Sequence, residues 1–318
     1  MHLGITITIG GKLVKGMNSY KKLISNQDTR LKILRMMRII PDKLMLRFEY
    51  KLKTGNKLDL KNPKRYTEKL QWYKLNYHNP IMKDCADKFS VRYYLEERGH
   101  GEILNPLYAA YDSADKIDFD ALPDSFAMKC SVGGGLNYFV QDKSKEDLSK
   151  LRKMADRWLT SEYDLYGYVY GREWCYKDRK PKVLFERLLP RNEKNDIPDY
   201  KFFCFGGKVF CLYTMIEYTD NHENGKLGFF DREFNLLPYH RLDFAPITEH
   251  IQEPSCFSKM VSIAEDLAKE FPHVRVDFYD VNGNVIFGEL TFYNASGFTK
   301  FEPDEFDFIM GEHFILPE

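Results

Sequence analysis

The chain has 318 residues, 43% of them apolar, with 24 Phe and 21 Tyr, and carries 47 basic against 47 acidic side chains. This composition supports a large globular core, organised as two domains or as one domain with subdomains. No stretch approaches the ~18 apolar residues of a membrane span, and no helix-turn-helix, zinc-finger or RNP-type pattern speaks for nucleic acid.

The zero net charge hides an asymmetry. Residues 1–75 hold 18 Lys and Arg against 5 Asp and Glu, a net +13, and the remainder carries −13. The first ten residues have no charged leader and make a poor signal peptide. Residues 1–60 read as basic and helical. Within them Thr29–Ile40 is the best candidate for a helix lying on an anionic membrane surface. The competing reading is a helix packed on the protein's own body, its Lys and Arg snorkelling outward.

Asn62-Pro63 marks a turn, and Thr67 is placed to cap a helix running through Gln71-Trp72. Asp84 is placed to cap the next helix, ending near Gly99, with Lys88 and Arg92 four apart on one face. Strands follow at 125–130 and 137–140, separated by Gly133-Gly134-Gly135, and Ser144 with Asp147 opens a helix toward Trp158. Further strands read at 182–189, 200–204 and 208–216, the last two joined at Gly206-Gly207. A loop-rich polar region occupies 218–250. An amphipathic helix at 257–271 precedes the closing hairpin. The strands come as hairpins, so the pattern is α+β with largely antiparallel sheets. Six cysteines (85, 130, 175, 204, 211, 256) show neither a CxxC pair nor metal-ligand spacing and read as free thiols of a reducing cytoplasm.

The closing hairpin, 275–292, is the most informative segment. With Val281 facing Val285 across a three-residue Asn-Gly-Asn loop, Asp277 falls opposite Glu289 and Arg275 opposite Thr291. These four polar side chains then share one face, and Val274, Val276, Phe278, Ile286, Leu290 and Phe292 share the other. Directly opposed carboxylates repel. A cation between them relieves this, most simply Mg²⁺ with a bound phosphate; without one, the face is simply solvated.

Three other segments carry possible chemistry. The triple glycine lets backbone N–H groups approach phosphate oxygens, and Lys129 sits four residues upstream to neutralise charge. It is not a Walker loop, because no Gly-Lys-Ser/Thr follows. The strand ending at Glu186 can hold the amino edge of a purine, with Leu188 and Leu189 against its ring. In Asp199-Tyr200-Lys201, Asp199 suits a ribose hydroxyl and Lys201 a phosphate or reacting carboxylate.

In order along the chain, these features resemble the ATP-grasp superfamily, and more closely the TupA-like ATP-grasp family of teichuronopeptide and capsular polysaccharide synthesis. The residues that carry the likeness are Asn62-Pro-Lys-Arg-Tyr-Thr-Glu-Lys-Leu-Gln-Trp72, Asp87-Lys88-Phe-Ser-Val-Arg92, Phe126-Ala-Met-Lys129-Cys130, Asp199-Tyr-Lys201-Phe202, Val276-Asp277-Phe-Tyr279 and Phe287-Gly-Glu289-Leu-Thr291-Phe292. The resemblance spans roughly residues 40–300. It implies an ATP-grasp fold in which two α+β subdomains grip ATP. The parts expected are a basic helical extension (1–75), an N-terminal subdomain (76–125), a glycine-loop subdomain (126–190) and a C-terminal subdomain with the Mg²⁺ hairpin (191–318).

It also implies that Lys88, Lys129 and Gly133–Gly135 hold phosphates, that Glu186 and Leu188 hold adenine, and that Asp199 holds the ribose. Asp277 and Glu289 bind Mg²⁺, and Lys129, Arg275 and Lys201 serve the reacting groups. Thr291 stands where the superfamily commonly has Asn, and its hydroxyl, a neutral oxygen, makes it the third and weaker metal candidate. The glycine loop reads Ser131-Val132-Gly133-Gly134-Gly135 where Asn-His-Gly-Ser-Gly is expected. The implied reaction is ligation through an acyl phosphate, joining an amine or amino acid to a carboxylate of a uronic-acid-containing surface polysaccharide. It would run in the cytoplasm or at the inner face of the membrane. Three alternatives remain: a glycan kinase using the same nucleotide site, a glycosyltransferase using Asp118-Phe-Asp120 for its metal, and a non-catalytic module with a decayed site.

Overall fold

The computed structural model describes residues 27–217, 219 and 225–318, together with two short paired segments, Thr8–Ile9 (β1) and Lys12–Leu13 (β2). The remainder of the basic N-terminal reading, and positions 218 and 220–224 of the loop-rich region, lie outside the described residues.

Two sheets carry the fold. The first contains β3 (Leu107–Tyr111), β4 (Phe126–Cys130), β5 (Asn137–Val140) and β6 (Val183–Glu186), in the order β3-β6-β4-β5 with every pair antiparallel. Alternation along β4 sends Phe126, Met128 and Cys130 into a core shared with Phe185 and, from the helix Leu148–Arg157 and its continuation, Leu151, Ala155 and Trp158. Asp147 caps that helix by accepting the Lys150 N–H, whereas Ser144 belongs to the preceding turn.

The second sheet contains β7 (Asp199–Phe205), β8 (Lys208–Ile216), β9 (Lys226–Asp231), β11 (Ala245–Pro246), β12 (His273–Val281) and β13 (Asn284–Thr291). Its order is β11-β9-β8-β7-β12-β13, antiparallel apart from the short β9–β11 pair. β10 (His240–Arg241) pairs separately with β14 (Phe301–Glu302). One face of the large sheet packs on the helix Phe257–Ala268 through Phe202, Cys204, Val276 and Phe278, all fully buried. Each such Phe contributes on the order of 1.5–3 kcal/mol by leaving water. The opposite face is covered at one end by the helices Tyr66–Asn76 and Glu305–His313; Tyr66 meets Phe203, Phe205 and His273 edge-on.

The closing hairpin departs from the expected register in an instructive way. Its loop is two residues, Asn282-Gly283, both with positive φ, and Val281 pairs with Asn284. A two-residue turn of this kind matches the strand twist. Read alone, it would shift every partner by one. A bulge between Asp277 and Phe278 on one strand, opposite Gly288 on the other, takes up the offset. Asp277 therefore faces Glu289 and Arg275 faces Thr291. Gly288 fits because a Cβ there would lie 3.0 Å from the Asp277 carbonyl oxygen. The cost of the expected register is Ile286. It pairs with Tyr279, on the face of Asp277, and Phe287 takes the core position opposite Phe278.

Two local readings also change. The stretch expected as one helix from Asp84 to Gly99 is two, Ile81–Ala86 and Val91–Glu97. Asp87 breaks it: its carboxylate accepts the N–H groups of Phe89 and Ser90 at 2.9 Å, a local alternative to helical bonding. Thr67 lies inside its helix, and its hydroxyl donates to Asp307 at 2.7 Å instead of capping.

Candidate active site

The polar face of the large sheet is built row by row. Tyr213, Lys201, Asp277 and Glu289 stand opposite one another on β8, β7, β12 and β13, and the next row contains Cys211, Phe203, Arg275 and Thr291. On the other side of the first row lie Met215, Asp199 and Tyr279. Pleating aims these side chains at one another, so charges of both signs meet in a largely buried patch.

Arg275 is the hub. Its Nε donates to Asp277 Oδ1 at 2.7 Å, and its Nη2 donates to Asp277 Oδ2 at 2.6 Å, Glu289 Oε1 at 3.0 Å and Thr291 Oγ1 at 3.0 Å. Its Nη1 reaches Asn294 Oδ1 at 2.5 Å and the Tyr213 hydroxyl at 3.3 Å. The Asp277 and Glu289 carboxylates therefore converge on one guanidinium nitrogen. The cation between them here is Arg275, supported by Lys201, whose Nζ donates to Asp277 Oδ2 at 2.7 Å and also pairs with Asp199.

Burial pushes the Asp199 carboxyl up to about 6; Lys201 offsets part of that rise and Asp277 adds to it. Burial opposes the charge on Lys201, but Asp199 and Asp277 outweigh it and hold the ammonium well above its ordinary range. Burial likewise opposes ionisation of Glu289, yet Lys88 foremost, then Arg275 and Lys201, bring it down to about 2.

Lys88 joins this patch to the first sheet. Its Nζ donates to the Gly133 carbonyl at 2.8 Å, and its charge is the largest influence holding Glu289 ionised. The glycine segment is fixed from below. Buried Ser131 donates its hydroxyl to Asp87 at 2.8 Å and its N–H to the Lys182 carbonyl at 2.8 Å. Gly133 has φ +83° and lies so close to Tyr166 that a Cβ would sit 3.0 Å from that residue's carbonyl. Gly135 is also left-handed, and Gly134 faces open space.

Lys129 and Glu186 form a second cluster. Lys129 Nζ donates to Glu186 Oε2 at 2.8 Å, and Arg92 lies 3.6 Å from the other oxygen. Half-buried Leu188 follows in a segment tied down by Arg187, whose N–H donates to the Pro106 carbonyl and whose own carbonyl accepts from Asn105. Asp118 of the Asp-x-Asp triplet accepts the N–H groups of Asp120 and Ala121, so it closes its own exposed turn.

The donor set offered by Asp277, Glu289, Thr291 and Asn294 is all oxygen and suits a hard cation such as Mg²⁺. Both Asp277 oxygens are engaged by Arg275 and Lys201, so a metal would have to share or displace one of them. Among the described residues no group of three or more His, Cys, Asp or Glu side chains is placed to hold a metal. Asp199 Oδ1 is buried with no hydrogen-bond partner, an acceptor that calls for a donor.

Residues 68–315 match the family model described as TupA-like ATPgrasp. The chain belongs to the TupA-like ATP-grasp family. Its α+β architecture of two largely antiparallel sheets is that of an ATP-grasp protein. No curated protein sequence matches it. Solved structures to which it is similar include D-alanine–D-alanine ligase from Bacillus anthracis (17% identity, TM-score 0.40, 65% of this chain and 56% of that one). The ADP complex of PurK, N5-carboxyaminoimidazole ribonucleotide synthetase, is another (15%, 0.40, 71% and 50%). A third is the ATP-grasp ligase PsnB with a precursor variant, Mg and ADP (14%, 0.36, 71% and 57%). The matched regions span about half the length of these proteins.

In this TupA-like ATP-grasp chain the N-terminal fingerprint is a clamp on the C-terminal end. Glu68 accepts the N–H groups of Asp59, Lys64 and Arg65; Arg65 pairs with Asp304; and Lys69 Nζ donates to the carbonyls of Gly311 and Phe314. Gln71 Nε2 donates to the carbonyls of Ser296 and Gly297 at 3.1 and 2.8 Å, and buried Lys74 donates to Ser296 and Gly171. These bonds hold Ala295, Ser296 and Gly297, three consecutive left-handed residues, beside Arg275. The two non-glycine positions cost about 1–3 kcal/mol each, so the clamp must over-determine them. Sequence reasoning missed Asn294, Lys74 and Tyr213 as site neighbours. The Asn-Ala-Ser-Gly run after a strand was the available signal for the first.

Proposed function

We propose that the protein is an ATP- and Mg²⁺-dependent carboxylate–amine ligase. It activates a carboxylate by phosphoryl transfer and joins it to an amine or amino acid, on a uronic-acid-containing surface polysaccharide or its precursor. What carries this reading is the convergence of Asp277 and Glu289 on one cationic point that Lys88 connects to the glycine segment. Membership of an ATP-grasp family supports the nucleotide. ATP with Mg²⁺ supplies the phosphoryl group and neutralises its oxygens.

The chain's own residues do the rest. Glu289 stays ionised at neutral pH and would hold the metal through Oε2, its oxygen without a hydrogen bond among the described residues; Asp277 would share the oxygen that Lys201 now holds. The Gly133–Gly135 backbone and Lys88 take phosphate oxygens, and Lys129, oriented by Glu186, faces the same charge. Glu186 and Leu188 flank adenine, and Asp199 Oδ1 accepts a ribose O–H. Lys201 and Arg275 are positioning groups until the nucleotide arrives; Lys201, once released, would serve the reacting carboxylate. Thr291 orients Glu289 through its hydroxyl. No covalent protein nucleophile is required. Titration calorimetry tests the site: the wild type binds ATP in a Mg²⁺-dependent way, and Asp277→Asn loses that dependence. Metal-independent binding that the variant leaves unchanged overturns the reading. Mass spectrometry of polysaccharide from a strain lacking the protein tests the chemistry. Loss of an amide-linked substituent supports ligation, and loss of a phosphate or sugar refutes it.

A further inference from the structure

The helix Asp42–Thr54 has an inner and an outer side of opposite character. Inward, Met45, Leu46 and Tyr50 are buried; Leu46 and Tyr50 form a small core with Leu58, flanked by Leu75 and Phe298. The helix is thereby fixed to the body of the protein. Outward, three dipeptides repeat every four residues: Lys43-Leu44, Arg47-Phe48 and Lys51-Leu52, all exposed. One basic and one apolar stripe therefore run side by side along the helix.

The preceding segment adds two exposed apolar side chains. The helix Gln27–Met36 docks inward, with Leu34 against Leu165, Tyr168 and Val169, and with Arg35 and Arg38 bonded to Ser161 and Asp164. Met36 and Ile39 nevertheless stand 74% and 91% exposed, and on the following helix Leu44 stands at 57%, Phe48 at 56% and Leu52 at 41%. The acids of the second helix turn away from this face. Asp42 accepts the Tyr168 hydroxyl and pairs with Arg172, and buried Glu49 pairs with Lys53. Among the described residues Lys43 and Arg47 have no partner.

We propose that this face docks the protein onto an anionic lipid surface, with Met36, Ile39, Leu44, Phe48 and Leu52 entering the headgroup boundary and Lys43, Arg47 and Lys51 meeting lipid phosphates. The occupant is argued from charge. The outer face of the helix Asp42–Thr54 is cationic, with no acid on it among the described residues, and long apolar side chains lie beside the cations, as an interfacial helix requires. The inference does not depend on the reaction catalysed.

The test is co-sedimentation of the full chain with vesicles of phosphatidylcholine alone and of an equimolar phosphatidylcholine–phosphatidylglycerol mixture. The expected result is binding to the anionic vesicles only, lost in high salt. Lys43→Gln with Arg47→Gln weakens it about thirtyfold, since each basic residue near such a surface is worth about 1 kcal/mol. Phe48→Ser weakens it further. Equal binding to both vesicles, or to neither, by the wild type overturns the proposal without reference to any variant. So does a double glutamine variant that binds as tightly as the wild type. If instead Phe48→Ser abolishes a lipid-free oligomer and leaves sedimentation unchanged, the face is a protein interface and the proposal fails.

Discussion

Replacing Lys201 by Met tests the charge balance of the site most directly. Lys201 is the one ion-pair partner of Asp199 among the described residues, and the other Asp199 oxygen is already buried without a hydrogen bond. Asp277, by contrast, keeps both its bonds to Arg275. The substitution therefore isolates a single buried carboxylate. Removing one partner of a buried pair costs about 3–5 kcal/mol when the remaining charge has no escape. Here the escape is protonation, and that makes the loss depend on pH.

In the intact protein the Asp199 carboxyl is raised from 3.8 to about 6. A folded-state carboxyl that is raised binds protons more tightly than the unfolded chain. The contribution of Asp199 to stability accordingly declines as pH rises from about 4 to about 6 and is level above, a loss on the order of 3 kcal/mol from this group. Without Lys201 the folded value climbs further, and the decline continues into the alkaline range. Urea unfolding followed by tryptophan fluorescence, at about pH 5.5 and about pH 8.5, measures the difference. Lys201→Met is expected to lie close to the wild type at the lower pH and about 3 kcal/mol below it at the higher. Adding Asp199→Asn should recover most of that loss. An equal loss at both pH values, with no recovery in the double variant, would refute the reasoning.

Three further outcomes are expected. His273 is fully buried, its Nδ1–H donating to the Cys204 carbonyl and its Nε2 accepting from the Tyr66 hydroxyl, and burial lowers its pKa from 6.5 to about 3. The unfolded chain binds the extra proton between those values, so the contribution of His273 to stability falls as pH drops through that window, by up to about 5 kcal/mol and opposite in sign to that of Asp199; acid titration followed by circular dichroism should show a shallower decline in His273→Gln. Gly133→Ala, strained by a positive φ and by the Tyr166 carbonyl at 3.0 Å, should weaken nucleotide binding measured by calorimetry, whereas Gly134→Ala, with open space around it, should not. Gln71→Ala leaves the Ser296 carbonyl to Lys74 and removes the side-chain donor from the Gly297 carbonyl, and should lower stability by about 1–3 kcal/mol in thermal unfolding.

Much of the fold was legible because its signals are local. The Gly206-Gly207 hairpin, the strands on either side of the triple glycine, and the apolar stripe of the helix Phe257–Ala268 each follow from a few neighbouring residues. Asp87 defeated the helical reading because a short carboxylate competes for backbone N–H groups, and this is visible only once its contact with Ser131 is known. The segment 29–40 was ambiguous for a related reason. Its amphipathic pattern fits lipid or protein equally, and Leu34, Arg35 and Arg38 turn out to face protein, leaving the more continuous exposed stripe on the next helix.

By itself the sequence determined the antiparallel α+β class and the opposition of Asp277 to Glu289, because alternation propagates along a strand without outside help, and its fingerprints carried the resemblance to the family. Even there, the pairing survives through two departures that cancel, a shorter turn and a bulge at Gly288. Only the tertiary structure decided which cation stands between the carboxylates, that Lys88 links them to the glycine segment, and that Gln71 and Lys74 brace the left-handed turn after Asn294. Those contacts join residues up to 226 positions apart. They depend on how sheets and helices pack, and no periodicity within a single element encodes that.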